Sequence, residues 1–482
     1  MNTKKITALL CLVYIGLIIL LNIISLAVNQ MFLYLISLIF IIPAVFIVIR
    51  FYKVEAGYFA IAVFILAFVL KTAVALAYNA PPISDFANFY HSALKAAGGD
   101  FSFSSNVYYR FWSYQTGIVL YYALLIKIFG NSMIMLKIVN CAFIAGTNVL
   151  VYLISRKVAK EKYARFIAVL YLIYPASYFL ASVLTNQHIS NFLIIFGMYI
   201  FIRKQRVSAA GGMAAASFLA LGNAMRPQAV VVVLSLAGTV LLETVVKLKE
   251  KKLDKQLIIS LASLLAAYVI IMQGLSVGVK VSGINENGLK NNFPLYKFAV
   301  GLNNKSNGCY SQEDADRLLT VRDPEKRNEM ALLAIKEELS HPGQFGWLVL
   351  KKQYIMWANS DDSIFWGFNY LAGPGVDIPG RNVTYKLFSE IIQGEEKAFY
   401  IAVLIMAFTG IISEYKHKKT AGVFTAILLV LLFNFAIYSL IEVQTRYRDF
   451  QMIFMFIAAA KGIEYMGEMI EARFGKASRI TG

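Results

Sequence analysis

Pro81-Pro82-Ile83-Ser84-Asp85-Phe86-Ala87-Asn88-Phe89-Tyr90, running on to Gly117, is the first long polar stretch of the chain and follows apolar runs at 6–28, 31–50 and 58–78. A carboxylate at Asp85, a few residues past an apolar span, is costly unless it meets water or a polar partner. Position alone therefore makes Asp85 a candidate functional residue. The residues around it predict an amphipathic helix over 83–97. Phe86, Tyr90, Ala93, Leu94 and Ala97 share one face, Asn88, Ser92 and Lys95 lie towards the other, and Gly98-Gly99 ends it. A helix of this kind lies on a membrane surface rather than crossing it. The plainer alternative is that Ser84 or Asp85 only caps that helix.

Outward from this stretch the chain is 59% hydrophobic and 15% charged, with a mean hydropathy of +0.62. Soluble domains use about 45–50% apolar residues, so a polytopic all-α membrane protein is expected. Nine further apolar runs follow the first three, at 133–155, 163–183, 187–202, 208–224, 227–246, 256–278, 397–413, 421–441 and 449–467. Each is close to the ~20 residues that cross about 30 Å of hydrocarbon. The expected architecture is thus about 12 transmembrane helices. The first run follows Lys4-Lys5 and reads as a retained anchor, because it is longer than a signal-peptide core and lacks a small-residue cleavage site.

The net charge of +18 does not point to nucleic acid, because of where it sits. Basic clusters at Lys4/Lys5, Arg50/Lys53, Arg156–Arg165, Arg203–Arg206, Lys247–Lys255, Lys416–Lys419 and Arg473–Arg479 fall on alternate sides of the spans, as cytoplasmic loops require. Both termini are then cytoplasmic, and two long segments, 79–132 and 279–396, lie outside a cell membrane. Cys11 and Cys141 fall within spans and Cys309 stands alone, so no disulfide framework or metal spacing is present. Asn304-Lys305-Ser306 and Asn382-Val383-Thr384 match a glycosylation sequon, a short and common pattern.

In the second outer segment, 279–310 is rich in Asn and Gly and reads as irregular, and 324–340 reads as a helix opening at Pro324. Residues 342–358 combine Trp347, Tyr354 and Trp357 with Lys351-Lys352, the composition of an interfacial helix. The stretch 113–129 is expected to be a second interfacial helix, since counting it as a span would put Arg156–Arg165 outside. The organisation is therefore additional N-terminal helices at 1–57, a transmembrane core at 58–278, the large outer loop at 279–396 and C-terminal helices at 397–482.

Four features stand together on the expected outer side: Asp85, Asn186-Gln187-His188, Arg226-Pro227 and Glu442-Val443-Gln444-Thr445-Arg446-Tyr447-Arg448. Beside them stand Ser84-Asp85-Phe86 with Tyr90 and Gly98-Gly99, Tyr114-Gln115-Thr116-Gly117 leading to Ile128-Phe129-Gly130, Asn140 within the following span, His341-Pro342 and Thr445-Arg446-Tyr447. This layout resembles the GT-C glycosyltransferases, in particular bacterial relatives of protein O-mannosyltransferases and of lipid A aminoarabinose transferases, over roughly 58–465. The chain has Phe86 where relatives often carry a second acid, Gln115 where they often carry proline, and Asn186-Gln187-His188 where an acid is common.

The resemblance implies transfer of a sugar from a polyprenyl-phosphate donor to a glycan, lipid or protein acceptor outside the membrane. No cofactor follows from it, and a divalent metal is left open. Such a reaction needs a carboxylate to take the acceptor proton and cations to stabilise the departing lipid phosphate. Asp85 is the candidate base. Arg446, Arg226, Arg448 and Lys351 are the candidate phosphate ligands, and Tyr90, Asn88, Arg110, Gln115, Gln187, His188 and Tyr447 the candidate pocket residues. Two plainer readings compete. Glu442, Arg446 and Asp449 fall at i, i+4 and i+7, so Arg446 could be a structural ion pair. Arg448 lies about 200° around a helix from Arg446, so both reach one phosphate only if the helix breaks there. From other classes, a transporter or flippase of a lipid-linked saccharide would carry mid-membrane ionisable groups on broken helices and related halves. A polysaccharide polymerase or ligase would share the lipid-linked donor.

Overall fold

The structure is a computed structural model and describes residues 3–51, 54–203, 207–249, 254–359, 363–368, 385–416 and 422–477. The sequon at Asn382 and parts of several basic clusters, Lys252 among them, lie outside the described residues. Among the described residues the secondary structure is helical, with one isolated bridge between Trp112 and Asn291 and no strand. Among the described residues, seven helices are long and apolar enough to cross a membrane: Thr3–Val28, Ala56–Ala77, Met133–Val158, Ala229–Leu248, Lys255–Val281, Leu387–Lys416 and Gly422–Leu440. An eighth crossing is the pair Glu161–Leu172 and Ala176–Ser182, bent by 51°, if it is taken as one broken span.

The remaining apolar runs also form helices. Phe32–Ile47, Ser113–Phe129, Gln187–Ile202 and Ala209–Met225 have at most 17 residues, about 25 Å at 1.5 Å per residue, which is short for an independent crossing. The run at 449–467 lies inside the helix Arg448–Ala477, whose residues Met452–Ala460 are almost fully buried. That helix packs against Tyr385–Lys416, Met133–Val158, Glu161–Leu172 and Gly422–Leu440 and forms the centre of the bundle. The N-terminal helix Thr3–Val28 joins the same core through Cys11, Tyr14, Ile15 and Ile18. It is tied down by Ser25, whose hydroxyl donates to the Ala358 carbonyl at 2.7 Å. By contrast, much of Lys255–Val281 faces outward.

The amphipathic helix forms over Asp85–Ala97 and buries Phe86, Phe89, Tyr90 and Ala93, as its periodicity requires. In the second outer segment the helices Pro324–Leu339 and Pro342–Gln353 also form where proline at the first turn favours them. The stretch expected to be irregular, 279–310, instead contains the helix Pro294–Leu302, which buries Tyr296, Ala299, Val300 and Leu302.

This helix is clamped to the loop after Gly422–Leu440. The Glu442 amide donates to the Lys297 carbonyl at 3.1 Å and the Val443 amide to the Gly308 carbonyl at 3.0 Å. The buried Lys352 ammonium bridges the Gly301 and Ser439 carbonyls at 2.7 and 2.9 Å. At Gly301 a Cβ would lie 2.2 Å from the Ile441 carbonyl carbon and 2.5 Å from the Glu442 nitrogen. Backbone cannot yield there as a flexible side chain can. Gly301→Ala is therefore expected to destabilise the protein by about 1–3 kcal/mol, the usual range for overpacking. A thermal midpoint unchanged from wild type would contradict the clamp.

Candidate functional site

Asp85 is the first residue of its helix, where the helix dipole favours a negative charge. The preceding Ser84 takes φ 51° and ψ −131° and makes no side-chain cap hydrogen bond. Such a conformation costs a non-glycine residue roughly 1–3 kcal/mol and is retained only where the surroundings enforce it. No described residue donates a hydrogen bond to the half-buried Asp85 carboxylate, so the capping alternative is not realised. Its charge is felt by Tyr108, Tyr109 and Tyr114. Burial first, and then the Asp85 charge, push the Tyr108 phenol well above its ordinary value, so that hydroxyl stays protonated beside the acid.

Arg446 and Arg226 face the same ring from two loops. The Tyr447 centroid is 5.7 Å from the Arg446 guanidinium carbon and 5.3 Å from that of Arg226. Arg446 also lies over Trp366 at 4.9 Å and Phe86 at 5.4 Å. Its Nε donates to Gln444 Oε1 at 2.7 Å, and its terminal nitrogens find no acceptor among the described residues. Arg226 donates through one terminal nitrogen to Asn186 Oδ1 at 3.3 Å. The two like charges feel one another, and no described carboxylate forms an ion pair with either. Two cations held together with no carboxylate hydrogen-bonded to either are a ready receptor for an oxyanion.

The segment Asn186-Gln187 brings them together. Asn186 donates to the Met225 carbonyl at 2.9 Å, beside Arg226, and Gln187 donates to the Arg446 carbonyl at 3.3 Å. Gly117 does the same for the facing wall. The Ala224 carbonyl oxygen lies 2.2 Å from where a Cβ would be, so only glycine lets Thr116–Phe129 approach the Arg226 loop this closely. A cavity of about 120 Å³ opens beside Tyr114, between Asn223, Pro227, Met272 and Asn291.

Glu442 is 2% exposed and pairs with Lys297 at 2.5 Å, not with Arg446. Residues 441–444 are not helical and Thr445–Tyr447 is a short 3₁₀ turn, so the i, i+4 spacing of Glu442 and Arg446 does not place them side by side. Asp449 instead accepts from Asn191 at 2.9 Å. Burial alone would raise the Glu442 carboxyl, but the Lys297 ammonium and the hydrogen bonds from Lys297 and Gln444 outweigh it and hold the group below the usual range.

The other sequence candidates are placed as follows. Arg448 turns away from the pair, with a terminal nitrogen donating to the Asn359 carbonyl at 3.1 Å and its guanidinium over Tyr400. Lys351 donates to Asn307 Oδ1 at 3.1 Å, and His188 Nε2 is 2.9 Å from the Leu180 carbonyl oxygen in a buried position. The Tyr90 hydroxyl donates to Asn131 Oδ1 at 2.7 Å. Asn88 and Arg110 are exposed, and their backbone carbonyls accept from Tyr109 and Asn292. The buried Oε1 of Gln115 has no donor among the described residues.

Trp366, Lys297, Gln444 and Tyr108 belong to the cluster without having been candidates. Lys297 falls in the stretch read as irregular; the signal that could have found it is Pro294 at the first turn of an apolar run. Among the described residues no three His, Cys, Asp or Glu side chains gather. One carboxylate beside two guanidiniums also fits a divalent cation poorly, since hard cations take several oxygen ligands. In comparison with known proteins, the chain matches no family model and none of the curated proteins.

Proposed function

We propose that this chain is an integral membrane glycosyltransferase of the GT-C type, moving a sugar from a polyprenyl-phosphate donor to an acceptor outside the cytoplasm. The observation that carries the reading is the pair of guanidiniums, Arg226 and Arg446, that no described carboxylate pairs with, clustered with a carboxylate that accepts no hydrogen bond from a described residue. Asp85 takes the proton of the acceptor hydroxyl or amine as it attacks the sugar carbon, the bond from that carbon to the phosphate oxygen breaks, and the two forks hold the departing phosphate.

Charge favours a monophosphate donor. Arg226 and Arg446 contribute two positive charges and Asp85 one negative, while Lys297 and Glu442 cancel, leaving a net charge of one. A phosphodiester monoanion balances it, whereas the diphosphate donors of many polymerases and ligases would overload it. The cavity beside Tyr114 lies near the outward-facing helix Lys255–Val281 and offers the prenyl chain a path to the bilayer. Counting Phe32–Ile47, Gln187–Ile202, Ala209–Met225 and Arg448–Ala477 as crossings beside the seven long helices and the bent pair, with Ser113–Phe129 interfacial, gives the twelve that would set this site on the extracytoplasmic face.

The broken pair Glu161–Leu172 and Ala176–Ser182, with buried Lys71 beside it, is what a transporter would favour. Yet Lys71 spends its ammonium on the Leu172 carbonyl at 3.2 Å and the Ser177 hydroxyl at 2.6 Å, capping the break. That leaves it no hold on a substrate.

The topology has its own test. In a Cys309→Ser background, cysteines introduced at Asn106 and Asn303 are expected to react with an impermeant thiol reagent in intact cells, and one at Lys160 only after permeabilisation. Labelling of Lys160→Cys from outside would invert the map. Turnover of a labelled polyprenyl-phosphate sugar by the purified protein tests the activity itself.

A further inference from the structure

The Arg446 fork is open because of what holds its other nitrogen. A side-chain chain runs inward from the outer segment. Lys297 Nζ meets Glu442 Oε2 at 2.5 Å, Gln444 Nε2 donates to Glu442 Oε1 at 2.7 Å, and Arg446 Nε donates to Gln444 Oε1 at 2.7 Å. The Tyr447 hydroxyl adds a longer contact to Glu442 Oε1 at 3.4 Å. An amide has a fixed donor end and a fixed acceptor end. Glu442 takes the donor end of Gln444, so the acceptor end must face Arg446.

From this geometry we infer that Gln444 is a positioning residue: a neutral spacer that fixes the Arg446 guanidinium through Nε while keeping the Glu442 carboxylate off it. Lys297 completes the arrangement by taking up the charge of Glu442. Without that ion pair the buried carboxylate would be the nearest anion for Arg446, and the fork would close on the protein itself. The loop that carries Glu442, Gln444 and Arg446 is the one clamped by Pro294–Leu302, so the outer segment sets the geometry of the phosphate receptor. The inference rests on the proposed function, since it takes the open fork to be the seat of a lipid phosphate.

The test uses the full-length protein in detergent with farnesyl phosphate as probe. Binding is followed by tryptophan fluorescence, Trp366 being 4.9 Å from the Arg446 guanidinium carbon. Gln444→Glu keeps the size and the hydrogen bond to Nε but places a second carboxylate on the fork. Its affinity for the probe is expected to fall at least tenfold, and its thermal midpoint to fall as well, since the buried Glu442 loses the Gln444 donor and meets a second carboxylate. Gln444→Met keeps the volume but frees Nε. Its affinity is expected to fall less, and its turnover should show a raised KM with kcat little changed. If Gln444 is only structural, Gln444→Glu binds farnesyl phosphate as wild type does, and the inference is overturned. Should Gln444→Glu fail to fold, wild-type KM in Gln444→Met overturns it equally. Failure of the wild-type protein to bind farnesyl phosphate would instead sink the lipid-phosphate reading from which the inference starts.

Discussion

Asp85→Asn is expected to lower sugar transfer by about 10²–10⁴, the usual effect of removing a general base, with expression and thermal midpoint close to wild type. Asparagine keeps the shape of the side chain and tolerates the first turn of a helix, but it cannot take up a proton. The structure sharpens the expectation, because no described residue uses the Asp85 carboxylate as a hydrogen-bond acceptor. Substitution therefore breaks no described hydrogen bond, and a loss of activity reports on chemistry rather than folding. Transfer assays on Asp85→Asn beside wild type check this, and wild-type turnover would remove Asp85 from the mechanism.

The second large effect is expected at Arg446. Arg446→Ala should weaken donor binding and turnover together, and Arg446→Lys should restore them only in part. A guanidinium can offer two parallel N–H groups to a phosphate while Nε stays on Gln444, whereas an ammonium is one compact charge. Losing a charge-assisted hydrogen bond of this kind costs about 1.5–3 kcal/mol, roughly ten- to a hundredfold in affinity. Donor titrations on both variants measure it. Unchanged affinity and turnover in Arg446→Ala would assign the cation to the fold and make Arg226 the next candidate.

The parts of the molecule that sequence made legible are those governed by local rules. The helix carrying Asp85 follows from the spacing of Phe86, Tyr90 and Ala93, and the helical runs follow from continuous apolar stretches. Proline at the first turn located Pro324–Leu339 and Pro342–Gln353. What stayed hidden depends on contacts distant in sequence. Glu442 and Arg446 look like an i, i+4 pair only if the chain is helical there. It is not, because Glu442 bonds to Lys297 in the helix Pro294–Leu302 and Val443 to Gly308 just beyond it, more than 130 positions earlier. Arg448 illustrates the same limit. Two residues beyond Arg446, it opens a true helix and points to the Met356, Trp357 and Asn359 carbonyls at the end of Tyr354–Ala358, which no periodicity links to it. Lys297 escaped notice because its surroundings, rich in Asn and Gly, mask nine helical residues.

The convergence of Arg226 and Arg446 was likewise beyond local pattern. Each stands on its own loop, and the two meet because Asn186 and Gln187, adjacent in sequence, bond one to each loop. A segment that reads as a polar helix start is thereby the bracket of the site.

The most direct measurement is turnover of labelled polyprenyl-phosphate sugars by the purified full-length protein in lipid, with and without the Asp85→Asn change and with identification of any copurified lipid. The expected result is transfer or release of labelled sugar by the wild-type protein from at least one monophosphate donor, loss of that activity in Asp85→Asn, and a polyprenyl phosphate among the bound lipids. A wild-type protein that binds such lipids but leaves the sugar–phosphate bond intact in every donor, or turns it over equally without Asp85, would contradict the assignment.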